Sequence, residues 1–244
     1  MKVYFASDFH LGAPNHASSL EREKKVVQWL DEIKSDATEI FLIGDIFDFW
    51  FEYKSVVPRG YLRLLGKLAE ITDAGIPITL FTGNHDMWMF DYLREELNVT
   101  IERKHIYKEF NGKRFFIGHG DGIGPGDHGY KFIKAVFSNP FCQWLFARLH
   151  PNLAFAIAKY CSNQSRAVVE DLEFKGEEKE FQVIFAKEKL ANEKIDYFIF
   201  GHRHIPNDIM LNEISRYINT GDWIVNNTYA VFDGSDVLLK KYQG

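Results

Sequence analysis

Short apolar runs recur along the chain, and several of them end abruptly at a polar cluster, as buried strands do at the edge of a sheet. These runs predict strands over 2–6, 39–43, 77–81, 99–109, 113–117 and 195–200, with shorter strands over 216–218, 228–232 and 237–241. Apolar positions at helical spacing predict helices over 21–34, 61–74 and 87–97. Strands that alternate with helices, followed by a strand-rich end, predict a layered α/β or α+β core.

Potential ligand side chains follow five of the predicted strands, directly after the apolar run. The five clusters read DFH at 8–10, GDIFD at 44–48, GNHD at 83–86, GHGD at 118–121 and GHRH at 201–204. Open α/β sheets gather their binding sites at the carboxyl ends of strands, so we expect the five clusters to meet in one place. One such cluster alone is an ordinary turn or helix cap, but five in series indicate a site.

The residue types in these clusters suit a catalytic metal centre. Carboxylates, imidazoles and an amide oxygen, without a thiolate, favour Mn, Fe or Zn over a structural zinc finger. We expect Asp8 and His10, two apart on extended backbone, to point the same way, and Asp45 to bridge two ions. Asp48 and Asp121 are expected to hydrogen-bond the ligands or the backbone rather than to bind metal.

In this order the five clusters resemble the motif set of the calcineurin-like metallophosphoesterases, from residue 3 to about residue 222. The resemblance implies a four-layer α/β/β/α sandwich with two divalent ions, most often Mn²⁺. By motif position, one ion would be held by Asp8, His10, Asp45 and His204. The other would be held by Asp45, Asn84, His119 and His202, with Asp45 shared.

The resemblance also gives the third cluster a catalytic part. Asn84, His85 and Asp86 are the expected catalytic residues, with His85 contacting the phosphoryl or leaving oxygen. Asp86 would fix the tautomer of His85. Metal ions about 3.5–4 Å apart lower the pKa of a shared water and clamp the phosphoryl oxygens, so no covalent enzyme intermediate is needed.

Length and charge add a second feature. The 244 residues suffice for one large domain, or one domain and a small subdomain, and the net charge of −5 argues against a protein that coats nucleic acid. Residues 128–169 contain no Asp or Glu and carry a charge of +5, so the remainder carries −10. We therefore divide the chain into a core, 1–126 and 170–244, and a helical cap insertion, 127–169.

The insertion is apolar on almost every side, which predicts a surface that is buried or that meets something apolar. Because it lies between the fourth and fifth clusters, both of its ends return to the site. An apolar cap with a cationic rim would suit a substrate that is part lipid and part phosphate. The competing interpretation is a helical hairpin packed on the core or on a second subunit.

Beyond the metal clusters, the chain resembles the branch of this family that hydrolyses UDP-2,3-diacylglucosamine in the lipid A pathway. Asp127 and Tyr130 match that branch's Asp-x-x-Tyr, and Ser165 and Arg166, beside Asn163, match a serine and basic pair after the cap helices. The resemblance implies attack of a metal-bound hydroxide on the α-phosphorus of the pyrophosphate, giving UMP and 2,3-diacylglucosamine 1-phosphate. These five side chains would bind the substrate, Asp127 and Tyr130 at its sugar or phosphate, while the cap helices would contact the acyl chains.

Two positions depart from that branch, because His85 stands where its members have an arginine and Arg203 stands where they have a threonine. Arg203 is expected to face a substrate phosphate or the solvent. The departures leave open a metallophosphoesterase that acts on another nucleotide or lipid phosphoester, with the insertion as a dimer interface. The oligomeric state stays open.

The remaining sequence features concern the compartment. Cys142 and Cys161 match no zinc-ligand spacing, and we expect both to be reduced. Asp8 interrupts the first apolar run too early for a signal peptide, and no apolar run reaches the roughly 20 residues that cross a bilayer. We expect a cytoplasmic protein, peripherally associated with the cytoplasmic face of the inner membrane, with a lipid-linked nucleotide substrate and no nucleic-acid partner.

Overall fold

Two β-sheets form the centre of the protein. A computed structural model describes residues 1–124, 128–168, 173–174 and 176–244, with the side chains of 163–168 excepted. The strands are β1 (Val3–Ala6), β2 (Glu39–Ile43), β3 (Ile78–Phe81), β4 (Thr100–Glu102), β5 (Ile106–Phe110), β6 (Lys113–Ile117), β7 (Tyr197–Phe200), β8 (Asn207–Met210), β9 (Arg216–Asn219), β10 (Thr228–Phe232) and β11 (Val237–Lys241). The helices are α1 (His16–Ile33), α2 (Leu62–Asp73), α3 (Tyr92–Leu97), α4 (His128–Ser138), α5 (Pro140–Phe146), α6 (Pro151–Val168) and α7 (Phe181–Leu190).

The strand order explains why the ligand clusters meet. The first sheet has the order β11-β10-β1-β2-β3-β4, and the second has the order β5-β6-β7-β9-β8. Strands β1, β2, β3 and β4 run parallel, as do β6, β7 and β9. The carboxyl ends of β1, β2 and β3 therefore share one edge of the first sheet, and those of β6 and β7 share one edge of the second.

Apolar runs form the central strands β1, β2, β3 and β7 because both faces of these strands are buried. In β1, Val3 and Phe5 pack into the core between the two sheets, whereas Tyr4 and Ala6 pack under the helices. The helices α1, α2 and α3 cover the outer face of the first sheet, and α7 covers the outer face of the second through Val183. The four-layer α/β/β/α sandwich is thus confirmed.

Most predicted elements are observed, and four strands, β2, β6, β10 and β11, have the predicted bounds. The helix predicted over 87–97 is too long, because α3 begins only at Tyr92. The buried carboxylate of Glu52 accepts the N–H groups of Phe90, Asp91 and Tyr92, and so provides a start that the apolar spacing does not show.

Helix α7 and strand β8 were not predicted, for physical reasons. The buried face of α7 includes Gln182 beside Val183 and Ala186, so its apolar stripe is weak. Strand β8 is a polar edge strand with the sequence NDIM, and edge strands bury little.

The residues between β6 and α7 that the structure describes are largely helical, as expected for the insertion. Phe146 packs against Phe49, Phe51 and Trp88, with ring centroids 6.2, 4.9 and 4.7 Å apart, and the Trp88 indole donates to the Phe137 carbonyl at 2.7 Å. This helical segment, residues 128–168, therefore rests on the loops that follow β2 and β3. The division of the chain into core and insertion stays a prediction.

Two further observations bear on the sequence expectations. Cys142 and Cys161 are both free thiols. Among the residues that the structure describes, no helix combines the length and apolar character that a membrane-spanning segment needs.

Candidate active site

The first group of candidate ligands lies where β1 and β7 end. Asp8 Oδ1 is 3.1 Å from His204 Nε2, which in turn is 3.1 Å from His10 Nε2. His10 Nε2 is also 3.6 Å from Asp45 Oδ2. The ligand atoms of Asp8, His10 and His204 lie within 4.8 Å of one another and could hold one metal ion, and all three residues belong to the set predicted for the first ion.

The second group lies beside the first, at the ends of β2, β3, β6 and β7. Asp45 Oδ2 is 3.4 Å from His119 Nε2. Asn84 Oδ1 is 3.2 Å from the same nitrogen and 2.9 Å from His202 Nδ1. The same carboxylate oxygen of Asp45 therefore faces both groups, as a shared ligand requires.

The backbone carries these side chains in an unusual conformation. The φ angles of Asp8, His10, Asp45, His202 and His204 are 56°, 43°, 52°, 68° and 55°, all in the left-handed region. The expectation that Asp8 and His10 lie on extended backbone is therefore wrong, because β1 ends at Ala6 and the chain coils tightly afterwards. Left-handed non-glycine residues cost on the order of 1–3 kcal/mol each and cluster at functional sites.

Two glycines are required by this crowding. A Cβ atom at Gly83 would lie 2.2 Å from Asp45 Oδ1. A Cβ atom at Gly44, whose φ is +82°, would lie 2.6 Å from His119 Nδ1. Gly44 and Gly83, the first residues of the second and third clusters, thus allow strands β2 and β3 to bring their ligands together.

The electrostatics of the site fit bound cations. Asp8 Oδ1 is a buried, strong acceptor that, among the described residues, accepts no hydrogen bond of good geometry and lies 3.1 Å from His204 Nε2. Burial opposes protonation of His10 and His119, but the carboxylates of Asp45 and Asp8, with Asp48 beside His10, outweigh it and raise the pKa of both imidazoles to about 10. The site therefore attracts positive charge, and its oxygen and imidazole donors suit divalent metal ions.

Hydrogen bonds to the backbone set the ligand atoms. His119 Nδ1 donates to the Ile43 carbonyl at 2.8 Å, which leaves Nε2 to face Asp45 and Asn84. Burial and the neighbouring His119 lower the pKa of His202 to about 4, so His202 is a neutral imidazole, the form that binds metal.

Asp86 has a different place from the expected one beside the His85 ring. Its carboxylate accepts the backbone N–H groups of Gly83 and Ile46 at 2.7 Å, and that of Phe47 at 3.2 Å. Burial and the charge of Asp45 raise the pKa of Asp86 to about 7, while these N–H groups favour its ionised form. Asp86 therefore ties the second cluster to the third.

His85 points its Nδ1 at the backbone of the second cluster instead. The Asp48 carbonyl lies 3.0 Å from His85 Nδ1 and can only accept, so that nitrogen carries the proton. His10, Asp48 and His85 form a further group whose ligand atoms lie within 4.8 Å of one another. Burial lowers the pKa of His85.

The structure describes the side chains of two predicted substrate-binding residues, Tyr130 and Arg203. The Tyr130 hydroxyl donates to Asp121 Oδ2, and its ring lies 6.3 Å from that of His202, so Tyr130 does border the site. Arg203 makes a bidentate ion pair with buried Glu180, in which both N···O distances are 2.9 Å. Its guanidinium group is therefore not simply exposed to solvent. Four further predicted residues lie outside the described side chains: Asp127, Asn163, Ser165 and Arg166.

Sequence reasoning missed two neighbours of the site on the helical segment. Lys134 pairs with Asp121 at 2.5 Å, and Ser162 donates to Asp48 Oδ1 at 3.0 Å. A signal for Ser162 exists, because a small polar residue there follows a long apolar stretch of α6.

A large apolar cavity opens beside the metal ligands. It has a volume of about 570 Å³ and extends from the candidate site to helices α4, α5 and α6. Its lining includes Asn84, His85, Trp88, Ile133, Phe137 and Ile157. The helical segment thus forms one wall of a cavity whose other wall carries candidate catalytic residues.

The fold and site define the class of protein. The chain matches the Calcineurin-like phosphoesterase family over residues 1–206, and it belongs to that family. It is a metal-dependent hydrolase.

Two named relatives and one solved structure resemble the chain over almost its whole length. The chain is 39% identical to a UDP-2,3-diacylglucosamine hydrolase of Porphyromonas gingivalis (strain ATCC BAA-308 / W83), over 99% of this chain and 98% of that protein. It is 24% identical to a protein of the same name from Aeromonas salmonicida (strain A449), over 99% of this chain and 93% of that one. Among solved structures, the phosphoesterase Yfce from E. coli has a TM-score of 0.48 at 17% identity, over 97% and 91% of the two chains.

Proposed function

We propose that this protein hydrolyses the pyrophosphate of UDP-2,3-diacylglucosamine, giving UMP and 2,3-diacylglucosamine 1-phosphate. The relatives that share its whole length carry the name of that activity. The observation that carries the proposal to this chain is the apolar cavity of about 570 Å³ that opens on Asn84 and His85. A cavity of this kind suits acyl chains, since each buried methylene group contributes about 0.8 kcal/mol.

Each part of the site has a role in this reaction. Asp8, His10, Asp45 and His204 would hold one divalent ion, and Asp45, Asn84, His119 and His202 the other. When bound, such ions acidify a water molecule and neutralise phosphoryl oxygens, and Mn²⁺ is our proposed metal. The protein itself orients the α-phosphorus and keeps bulk water away from it.

His85 is placed to contact the reacting phosphate. Its Nδ1–H is held by the Asp48 carbonyl, and in the protonated ring the Nε2–H would donate to the phosphoryl or leaving oxygen. Tyr130 and Lys134 line the cavity next to the site, where a hydroxyl and an ammonium group suit the sugar and phosphate.

Filling the cavity tests the lipid part of this proposal. Ala158→Trp should lower kcat/KM for the diacylated substrate at least about tenfold, because displacing two methylene groups costs about 1.6 kcal/mol. Turnover of bis-p-nitrophenyl phosphate, which has no acyl chain, should stay within about twofold. Ala156→Trp, on an exposed position of the same helix, is the control. Equal losses on both substrates would contradict an acyl-binding cavity.

We also propose that the helical segment contacts the cytoplasmic face of the inner membrane. Six of its apolar side chains outside the cavity lining are 48–70% exposed: Phe132, Phe141, Trp144, Leu145, Leu153 and Tyr160. Residues 128–168 carry basic side chains and no acidic ones, so the segment would be attracted to anionic lipids. A lipid-linked substrate could then enter the cavity without crossing water.

The membrane proposal predicts a measurable loss of binding. Phe141→Ser with Trp144→Ser should reduce co-sedimentation with phosphatidylglycerol vesicles at least about tenfold, because two exposed aromatic side chains are removed. Met210→Ser with Ile214→Ser removes apolar side chains of similar exposure elsewhere and should change binding less than twofold. Equal effects of the two pairs would contradict a specific membrane face.

A further inference from the structure

Ser162 brings helix α6 into contact with the candidate active site. Its side chain is 7% exposed, and its Oγ donates to Asp48 Oδ1 at 3.0 Å. The same oxygen lies 3.4 Å from His85 Nδ1. Ser162 thus links the helical segment to the loop after β2 and to the loop after β3.

The hydrogen-bond directions around His85 are fixed by its partners. The Asp48 carbonyl accepts the proton on His85 Nδ1 at 3.0 Å. The Asp48 carboxylate lies 3.7 Å from His85 Nδ1 and 3.7 Å from His10 Nδ1, between a candidate catalytic residue and a candidate ligand. Ser162 donates to that carboxylate, and its lone pair can share the one His85 N–H that the Asp48 carbonyl accepts, because a hydroxyl both donates and accepts.

We propose that Ser162 is a positioning residue, which holds Asp48 and the His85 ring so that His85 Nε2 faces the substrate. The proposal rests on the role given to His85 in the proposed function. Ser162 lies on the same helix as Ile157 and Ala158, which form a wall of the apolar cavity. Occupation of the cavity and orientation of His85 are therefore coupled through one helix.

The consequence is a link between substrate choice and catalysis. A substrate whose acyl chains pack against α6 seats that helix, and the seated helix orients His85. When the substrate has no acyl chains, only contacts within the protein hold Ser162 in place. Binding of the acyl chains would then stabilise the transition state through the orientation of His85. Such an effect raises kcat rather than lowering KM.

A double-mutant cycle tests the proposal. Ser162→Ala should lower kcat about 10- to 100-fold with KM changed less than about threefold, because a hydrogen bond to a charged group is lost. In the His85→Ala background the same change should cost less than about twofold, because Ser162 acts through His85. Ser162→Thr keeps the hydroxyl and should restore kcat to within about threefold. Asn152→Ala, an exposed polar position on the same helix, is the control.

Several results would overturn the proposal. If the losses of kcat from Ser162→Ala and His85→Ala were additive in the double mutant, Ser162 would not act through His85. A rise in KM alone would make Ser162 a substrate contact, and loss of metal or of cooperative unfolding in both serine variants would make it purely structural. The cycle is also run on bis-p-nitrophenyl phosphate. A further outcome is that the protein leaves UDP-2,3-diacylglucosamine intact while the mutant cycle on bis-p-nitrophenyl phosphate gives the expected result. That outcome would contradict the proposed function and support the role of Ser162.

Discussion

Asp45→Asn should reduce turnover of UDP-2,3-diacylglucosamine at least about 10³-fold and lower the bound metal from two ions per chain to one or fewer. Asp45 Oδ2 lies 3.6 Å from His10 Nε2 and 3.4 Å from His119 Nε2, so this carboxylate would serve both proposed ions. The amide of asparagine is neutral and its oxygen is a weaker bridging ligand. Losing several kcal/mol of charge stabilisation corresponds to about three powers of ten in rate.

The measurement is metal content by elemental analysis together with kcat. Asp73→Asn, which alters an exposed carboxylate at the end of α2, should leave two ions and full activity. Asp45→Asn protein that keeps both ions and its rate would show that Asp45 does not bridge, and the two-ion site would have to be reassigned.

His85→Ala should lower kcat about 10²- to 10⁴-fold and leave the metal content at two ions per chain. The expected loss is that of a positioned side chain that exchanges a proton or stabilises charge in the transition state. His85 donates its backbone N–H to Asp45 Oδ1 at 2.9 Å, and this contact survives the substitution. The metal ligands should therefore keep their places while the imidazole is lost.

Metal analysis beside kcat separates this role from a ligand role. His16→Ala, at the exposed start of α1, is the matched control and should change kcat less than twofold. If His85→Ala lost a metal ion together with its activity, His85 would be a ligand. If kcat stayed unchanged, His85 would have no part in the reaction.

Much of the fold could be predicted, because its central strands are buried on both faces. Such strands appear in the sequence as unbroken apolar runs, and β2 and β6 were found at their predicted bounds. The convergence of Asp8, Asp45 and His119 also followed from the rule that sites lie at the carboxyl ends of strands. The left-handed backbone conformation of Asp8 and Asp45 could not be predicted, because the pattern of apolar and polar residues carries no information about φ.

What the sequence did not reveal are contacts between residues far apart in the chain. The start of α3 depends on Glu52, which lies 38 residues before the first amide that it accepts. Arg203 is bound by Glu180, whose place at the start of the unpredicted helix α7 could not be known. Ser162 reaches Asp48 across 114 residues, and spacing rules describe only neighbours.

The most direct test of the account is hydrolysis of UDP-2,3-diacylglucosamine in ¹⁸O-labelled water by the Mn²⁺-loaded protein, with mass analysis of both products. We expect release of UMP that carries one ¹⁸O atom, unlabelled 2,3-diacylglucosamine 1-phosphate, and no release when the metal is removed with a chelator. Intact substrate, or label in the lipid phosphate instead of UMP, would contradict the proposed attack at the α-phosphorus.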